Sequence, residues 1–75
     1  MDEREKAQLE ILQKKLNLIN KKYQYTLTIE KTCNSIMPYT IKTRTETNYI
    51  VQSRSFENLE QIYFYIQGMM YILEI

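Results

Sequence analysis

The residue types that carry chemistry are scarce in this 75-residue chain, and what is missing decides much. There is no histidine. Imidazole metal ligands, histidine general bases and Ser–His or Cys–His nucleophilic pairs are therefore all excluded. The one cysteine, Cys33, permits neither an internal disulfide nor a cysteine-cluster zinc site. Its closest basic residue is Lys31, so it lacks the electropositive surroundings of a reactive thiol. The only glycine, Gly68, rules out a glycine-rich phosphate loop. Glu57 and Glu60 have the spacing of a carboxylate pair, but both fall in the first turns of a predicted helix, where the dipole favours negative charge. No catalytic constellation results. The sequence predicts a non-enzymatic protein with no metal and no cofactor.

Binding chemistry is better represented. Lys14 and Lys21 lie seven residues apart, as do Lys15 and Lys22, so the four are expected on the outer side of one helix. Lys42, Arg44 and Arg54 are expected on an open sheet face. Such clusters can hold phosphate. A solvated face is the plainer reading, because nine acidic residues nearly cancel ten basic ones. Seven tyrosines and two phenylalanines could stack bases or build a protein-binding hot spot. Tyr23 and Tyr25 are expected in the core. Tyr63, Phe64, Tyr65, Met70, Tyr71 and Ile72 are the expected interface. Gln8-Leu9-Glu10-Ile11-Leu12 resembles the short peptide with which bacterial proteins dock on the polymerase sliding clamp, with Leu12 in place of the usual Phe. That peptide binds extended, whereas this stretch has a helical pattern.

These groups must be positioned by five elements. Residues 2–21 predict a helix: Asp2 and Glu5 have capping-box spacing, and Leu9, Leu12, Leu16 and Ile19 recur at three/four intervals. Residues 23–31 alternate strictly, with Tyr23, Tyr25, Leu27 and Ile29 on one side, which predicts a strand. Residues 39–45 and 49–54 predict two more strands, with Tyr39, Ile41, Tyr49 and Val51 inward. Thr26, Thr28, Thr40, Lys42, Arg44, Gln52 and Arg54 are expected on the opposite face. A second helix is expected over 55–74, capped by Ser55. Leu59, Ile62, Ile66, Met69 and Leu73 form its inner stripe, and apolar residues continue nearly all round it. Short connections favour an antiparallel meander. The expected fold is one α+β domain over residues 1–75, in the order α-β-β-β-α, with both helices on one face of a three-stranded sheet.

A domain this small buries only about 60% of its unfolded surface. Three strands and one helix cannot cover all of the second helix, and large bare apolar patches mark interfaces. A twofold homodimer is expected. The opening MDEREK lacks the apolar core of a secretory signal, and no stretch reaches the roughly 20 apolar residues that a membrane span needs. A cytoplasmic location is therefore expected.

Ile, Lys, Asn and Tyr are abundant while Gly, Ala and Pro occur once each, a bias typical of AT-rich genes. With the charged start MDEREK, the α-β-β-β-α pattern and the ending Leu73-Glu74-Ile75, the chain resembles the small early host-takeover proteins of phages that infect AT-rich Gram-positive bacteria. The resemblance spans the whole chain and rests on composition and pattern. It implies an inhibitor that binds one host protein of replication or DNA processing, with the sliding clamp as the most specific target. Two alternatives remain open: a small nucleic-acid-binding regulator using the basic residues, and an anti-defence inhibitor of a nuclease.

Overall fold

The computed structural model describes residues 2–75. The elements are α1 (Glu3–Asn20), β1 (Thr26–Lys31), β2 (Tyr39–Arg44), β3 (Ile50–Phe56) and α2 (Leu59–Ile72). The strands form an antiparallel sheet in the order β1-β2-β3. Both helices pack on one face, α1 over β1 and beside α2, which reaches β3. The α+β class and the element order are as the sequence predicts.

Asp2 caps α1: its Oδ1 accepts from the Glu5 backbone N–H at 2.7 Å. The reciprocal half of the capping box does not form. The Glu5 carboxylate instead turns inward, accepting from the Tyr39 hydroxyl at 2.9 Å and pairing with Lys31. The inner stripe of α1 is Leu12, Leu16 and Ile19, all buried, with Leu9 half-buried beside them. They meet Leu27, Tyr39 and Ile41 from the sheet, Phe56 from the end of β3, and Ile62 and Ile66 from α2.

The polar side of α1 does a second job. The Gln13 Oε1 accepts from the Ile29 N–H at 2.9 Å, and its Nε2 donates to the Leu27 carbonyl at 3.3 Å. Two helical turns further on, the Asn20 Oδ1 accepts from the Leu27 N–H at 2.8 Å, and its Nδ2 donates to the same carbonyl at 3.1 Å. β1 is an edge strand, and these amides occupy backbone groups that would otherwise face away from the sheet. They act as a substitute for a fourth strand.

Three expectations need correcting. β1 begins at Thr26, so Tyr23 and Tyr25 lie outside it. The Asn20 amide is held against Leu27, and the residues between are consumed in reversing the chain. Tyr23 is exposed and Tyr25 half-exposed, stacked edge-on at 5.3 Å rather than placed in the core. Second, the second helix does not begin at Ser55. Ser55 and Phe56 complete β3, and Asn58 is the cap, its Oδ1 accepting from the Gln61 N–H at 2.9 Å.

Third, a bulge reverses the faces of β3. Arg44 pairs with Ile50 and Thr43 with Gln52, which leaves Val51 without a partner. One extra residue flips the alternation of everything beyond it. Gln52 and Arg54 therefore share the helix side with Thr43, Ile41 and the buried Phe56. Tyr49 and Val51, expected inward, are exposed. The turn before them uses Asn48 at φ 70°, a conformation that asparagine tolerates.

Asn20→Ala should destabilise the fold by about 1–3 kcal/mol, because it orphans the Leu27 N–H and leaves the Leu27 carbonyl only its longer bond from Gln13. Lys14→Ala, on an exposed position, should stay within about 0.5 kcal/mol. Urea denaturation followed by circular dichroism measures both.

Candidate functional site

α2 carries the residues of most functional interest, and its construction explains why some are available and others are not. Its start is fixed by Asn58 and by the Gln61 side chain, whose Oε1 accepts from the Glu57 N–H at 2.9 Å. Ile62 and Ile66 are fully buried, flanked by Leu59, Met69 and Leu73. Of the six predicted interface residues, two serve the core instead. Met70 is half-buried against it, and Tyr65 packs on Phe56 with ring centroids 5.3 Å apart. The guanidinium of Arg54 covers the same corner, 5.0 Å from the Tyr65 ring and 6.0 Å from that of Phe56. Tyr63 is partly exposed, with Lys15 above its ring at 5.9 Å and its hydroxyl accepting from Gln67. Phe64, Tyr71 and Ile72 are bare, at 63%, 86% and 78% exposure.

Gly68 sits among these bare residues, four after Phe64 and three and four before Tyr71 and Ile72. A Cβ placed there would meet nothing within 4 Å. The glycine therefore serves no packing need inside the monomer, although it costs a helix interior about 1 kcal/mol relative to alanine.

The apolar strip continues onto α1. Ile11 is exposed, and with Gln8, Leu12, Leu59, Glu60 and Tyr63 it lines a shallow groove of about 310 Å3 between the helices. A larger groove of about 560 Å3 opens on the other flank of α2, between it and β3, lined by Arg54, Ser55, Phe56, Gln61, Phe64 and Tyr65.

The basic residues do not assemble into one surface. On the open face of the sheet, Glu30 takes Lys42 at 2.8 Å and Arg44 at 3.6 Å, and Arg44 also donates to Thr28 at 2.8 Å. The two cations hold the Glu30 carboxyl below its ordinary range, Lys42 foremost. Arg54 stands on the opposite face, a correction that follows from the bulge. Lys15 leans over α2, Lys21 is the C-cap of α1 and Lys22 lies beyond the helix. Lys14, Lys21 and Lys22 are exposed and make no ion pair among the described residues. The Gln8-Leu9-Glu10-Ile11-Leu12 stretch is wholly helical, with Leu12 buried, so it is not presented as an extended docking peptide.

Among the described residues no cluster of acids or cysteine could hold a metal ion, and no helix is long and apolar enough to cross a membrane. Cys33 is exposed in the loop after β1. The most polar cluster is Glu5, Lys31 and Tyr39. Hydrogen bonds from Lys31 and then Tyr39 lower the Glu5 pKa, while burial, and secondarily the contact with Glu5, raises that of Tyr39. This cluster closes the end of the core where the two helix N-termini meet; it opens on no enclosed cavity. Sequence spacing named Glu5 only as a capping residue, and nothing local to it signals a partner 34 positions away. Comparison with family models, curated proteins and solved structures gives no match, so the residues themselves carry the functional reading.

Glu5 and Glu30 each contribute stability above the unfolded carboxyl range and lose it as pH falls through their depressed folded values. Denaturant midpoints should therefore fall between pH 6 and pH 3. In Glu5→Gln that fall should be shallower, because the uncharged amide removes one of the two linked protonations.

Proposed function

We propose that this protein is a non-catalytic binding module that docks on another protein through the outer side of α2. The observation that carries this reading is the exposure of Phe64 and Tyr71 on a folded helix whose inner stripe is already satisfied. Aromatic residues are the commonest anchors of protein interfaces, and an apolar strip this bare is unfavourable in a protein that works alone. Tyr63 and Ile11 extend the strip across the groove between the helices. Following the compositional resemblance, the partner we propose is a host DNA-replication or DNA-processing protein, and the protein acts as its inhibitor. The folded helix face would make the contact, since the clamp-peptide-like stretch is locked in α1. Self-association into a twofold dimer belongs to the same proposal.

The nucleic-acid alternative has less support. Two of its seven basic residues share the one carboxylate of Glu30, which halves their joint charge, and the others are scattered over several surfaces.

The test is affinity capture from nuclease-treated lysate of a low-GC Gram-positive bacterium, with Phe64→Glu/Tyr71→Glu as the paired control. Both positions are exposed, so the variant should fold with an unchanged circular dichroism spectrum. The proposal predicts one host DNA-processing protein held in near-stoichiometric amount by the wild type and lost at least tenfold with the variant. Retention of nucleic acid without protein, removed by raising salt, would transfer the reading to the basic residues.

A further inference from the structure

The sheet has two edges, and the fold treats them oppositely. On β1, Gln13 and Asn20 occupy the outward backbone groups of Leu27 and Ile29. Among the described residues no side chain does so on β3. That strand pairs only with β2, and every residue from Ile50 to Ser55 is exposed. Its sequence, Ile-Val-Gln-Ser-Arg-Ser-Phe, contains one charge, no lysine and no proline, the residues that usually blunt an edge. Only the bulge at Val51 interrupts it. Beside this edge the 560 Å3 groove carries the exposed flank of α2. Gln61, Tyr65, Gly68 and Ile72 follow one another at four, three and four residues, so they share that flank.

We infer that β3 pairs antiparallel with β3 of a second copy, across a twofold axis perpendicular to the sheet, making one continuous six-stranded sheet. The inference rests on the self-association reading above and specifies its seam. Four features favour a second copy as the occupant. An antiparallel pair about such an axis keeps all the helices on the same side, which brings α2 and its symmetry mate side by side over the new seam. Gly68, with nothing near its Cβ position, then stands where two helix backbones approach. The only charge in β3 is Arg54, so self-pairing opposes like charges only if the axis passes through that residue. With the middle of β1 covered by Gln13 and Asn20, a third copy has no uninterrupted edge to join there, so pairing stops at a dimer instead of running on into a fibre.

The seam is small. A seven-residue strand is about 23 Å long, and the molecule is 18 Å across its shortest dimension. The flank thus projects about 400 Å2 per copy, or about 800 Å2 for the pair before side-chain relief is counted, which is the size of a weak, reversible interface.

Sedimentation velocity of the full chain over a concentration series tests the seam, with three variants whose fold is checked by circular dichroism. Val51→Lys places a charge at the exposed bulge of the edge. Ile72→Lys places one on the α2 flank, at a helix C-terminus that favours it. Tyr71→Glu alters the outer strip, away from the seam. The expected result is a wild-type dimer, weakened at least 100-fold by Val51→Lys and by Ile72→Lys and less than threefold by Tyr71→Glu. A wild-type dimer that ignores both lysines but dissociates with Tyr71→Glu would overturn the strand seam and leave self-association standing. A wild type that is monomeric throughout the series would overturn both, without bearing on capture of a host protein by the outer strip.

Discussion

Two side-chain amides, those of Gln13 and Asn20, tie α1 to the free edge of β1, and the placement of the other parts follows from that attachment. A helix held over the first strand of a three-stranded meander leaves the rest of the sheet face for α2. α2 must then bury Ile62 and Ile66 against β2, β3 and α1 at once, which it does. Among the described residues little is left to cover its outer side, where Phe64 and Tyr71 are exposed. The same attachment closes one sheet edge and leaves the other open. The asymmetry between a sealed α1/β1 side and a bare α2/β3 side is thus built in at the first strand, and the exposed apolar residues Phe64, Tyr71, Ile72, Ile50 and Val51 lie on the bare side.

The polar residues reinforce this division. Glu5 gives up its half of the capping box to reach Lys31 and Tyr39, so the first turn of α1 is fastened to both strands at the loop end of the β1–β2 hairpin. Glu30 gathers Lys42 and Arg44 on the open sheet face and offsets half of the charge that their sequence spacing suggests. Arg54 spends its charge on the rings of Phe56 and Tyr65. What remains uncommitted is largely apolar: Phe64, Tyr71, Ile72 and the edge residues Ile50 and Val51. A surface of this kind suits contact with protein better than contact with phosphate.

Much of the fold was legible from periodicity alone. The three/four stripe of α1, the alternation through Leu27 and Ile29 and the inner stripe of α2 each name one element, and their order allows little besides a meander under two helices. The errors share a cause. Alternation assigns a face only while it is unbroken, and the bulge at Val51 is set by pairing with β2, which no local pattern reveals. Arg54 and Gln52 changed sides for that reason, and Phe56 passed from helix to strand. Tyr23 and Tyr25 fit a strand as residue types, yet the chain needs them for its reversal once Asn20 is held against Leu27. For the candidate surface, helical spacing set Phe64, Tyr71 and Ile72 apart from the inner stripe, and the structure has them exposed. It could not separate Tyr65 and Met70 from them, because the flanks of α2 are decided by what β3 and α1 place alongside. The amide clamp was invisible for the same reason: Gln13 and Asn20 look like ordinary polar positions of an amphipathic helix.

Residue-resolved hydrogen exchange tests the asymmetry most directly. If Gln13 and Asn20 close the first edge, the Leu27 and Ile29 amides should exchange as slowly as central-strand amides at every protein concentration. The outward amides of β3 should exchange rapidly in dilute solution and slow as concentration rises. Leu27 and Ile29 exchanging as fast as the β3 edge in dilute solution would contradict the account, since both edges would then be open and nothing would single out β3.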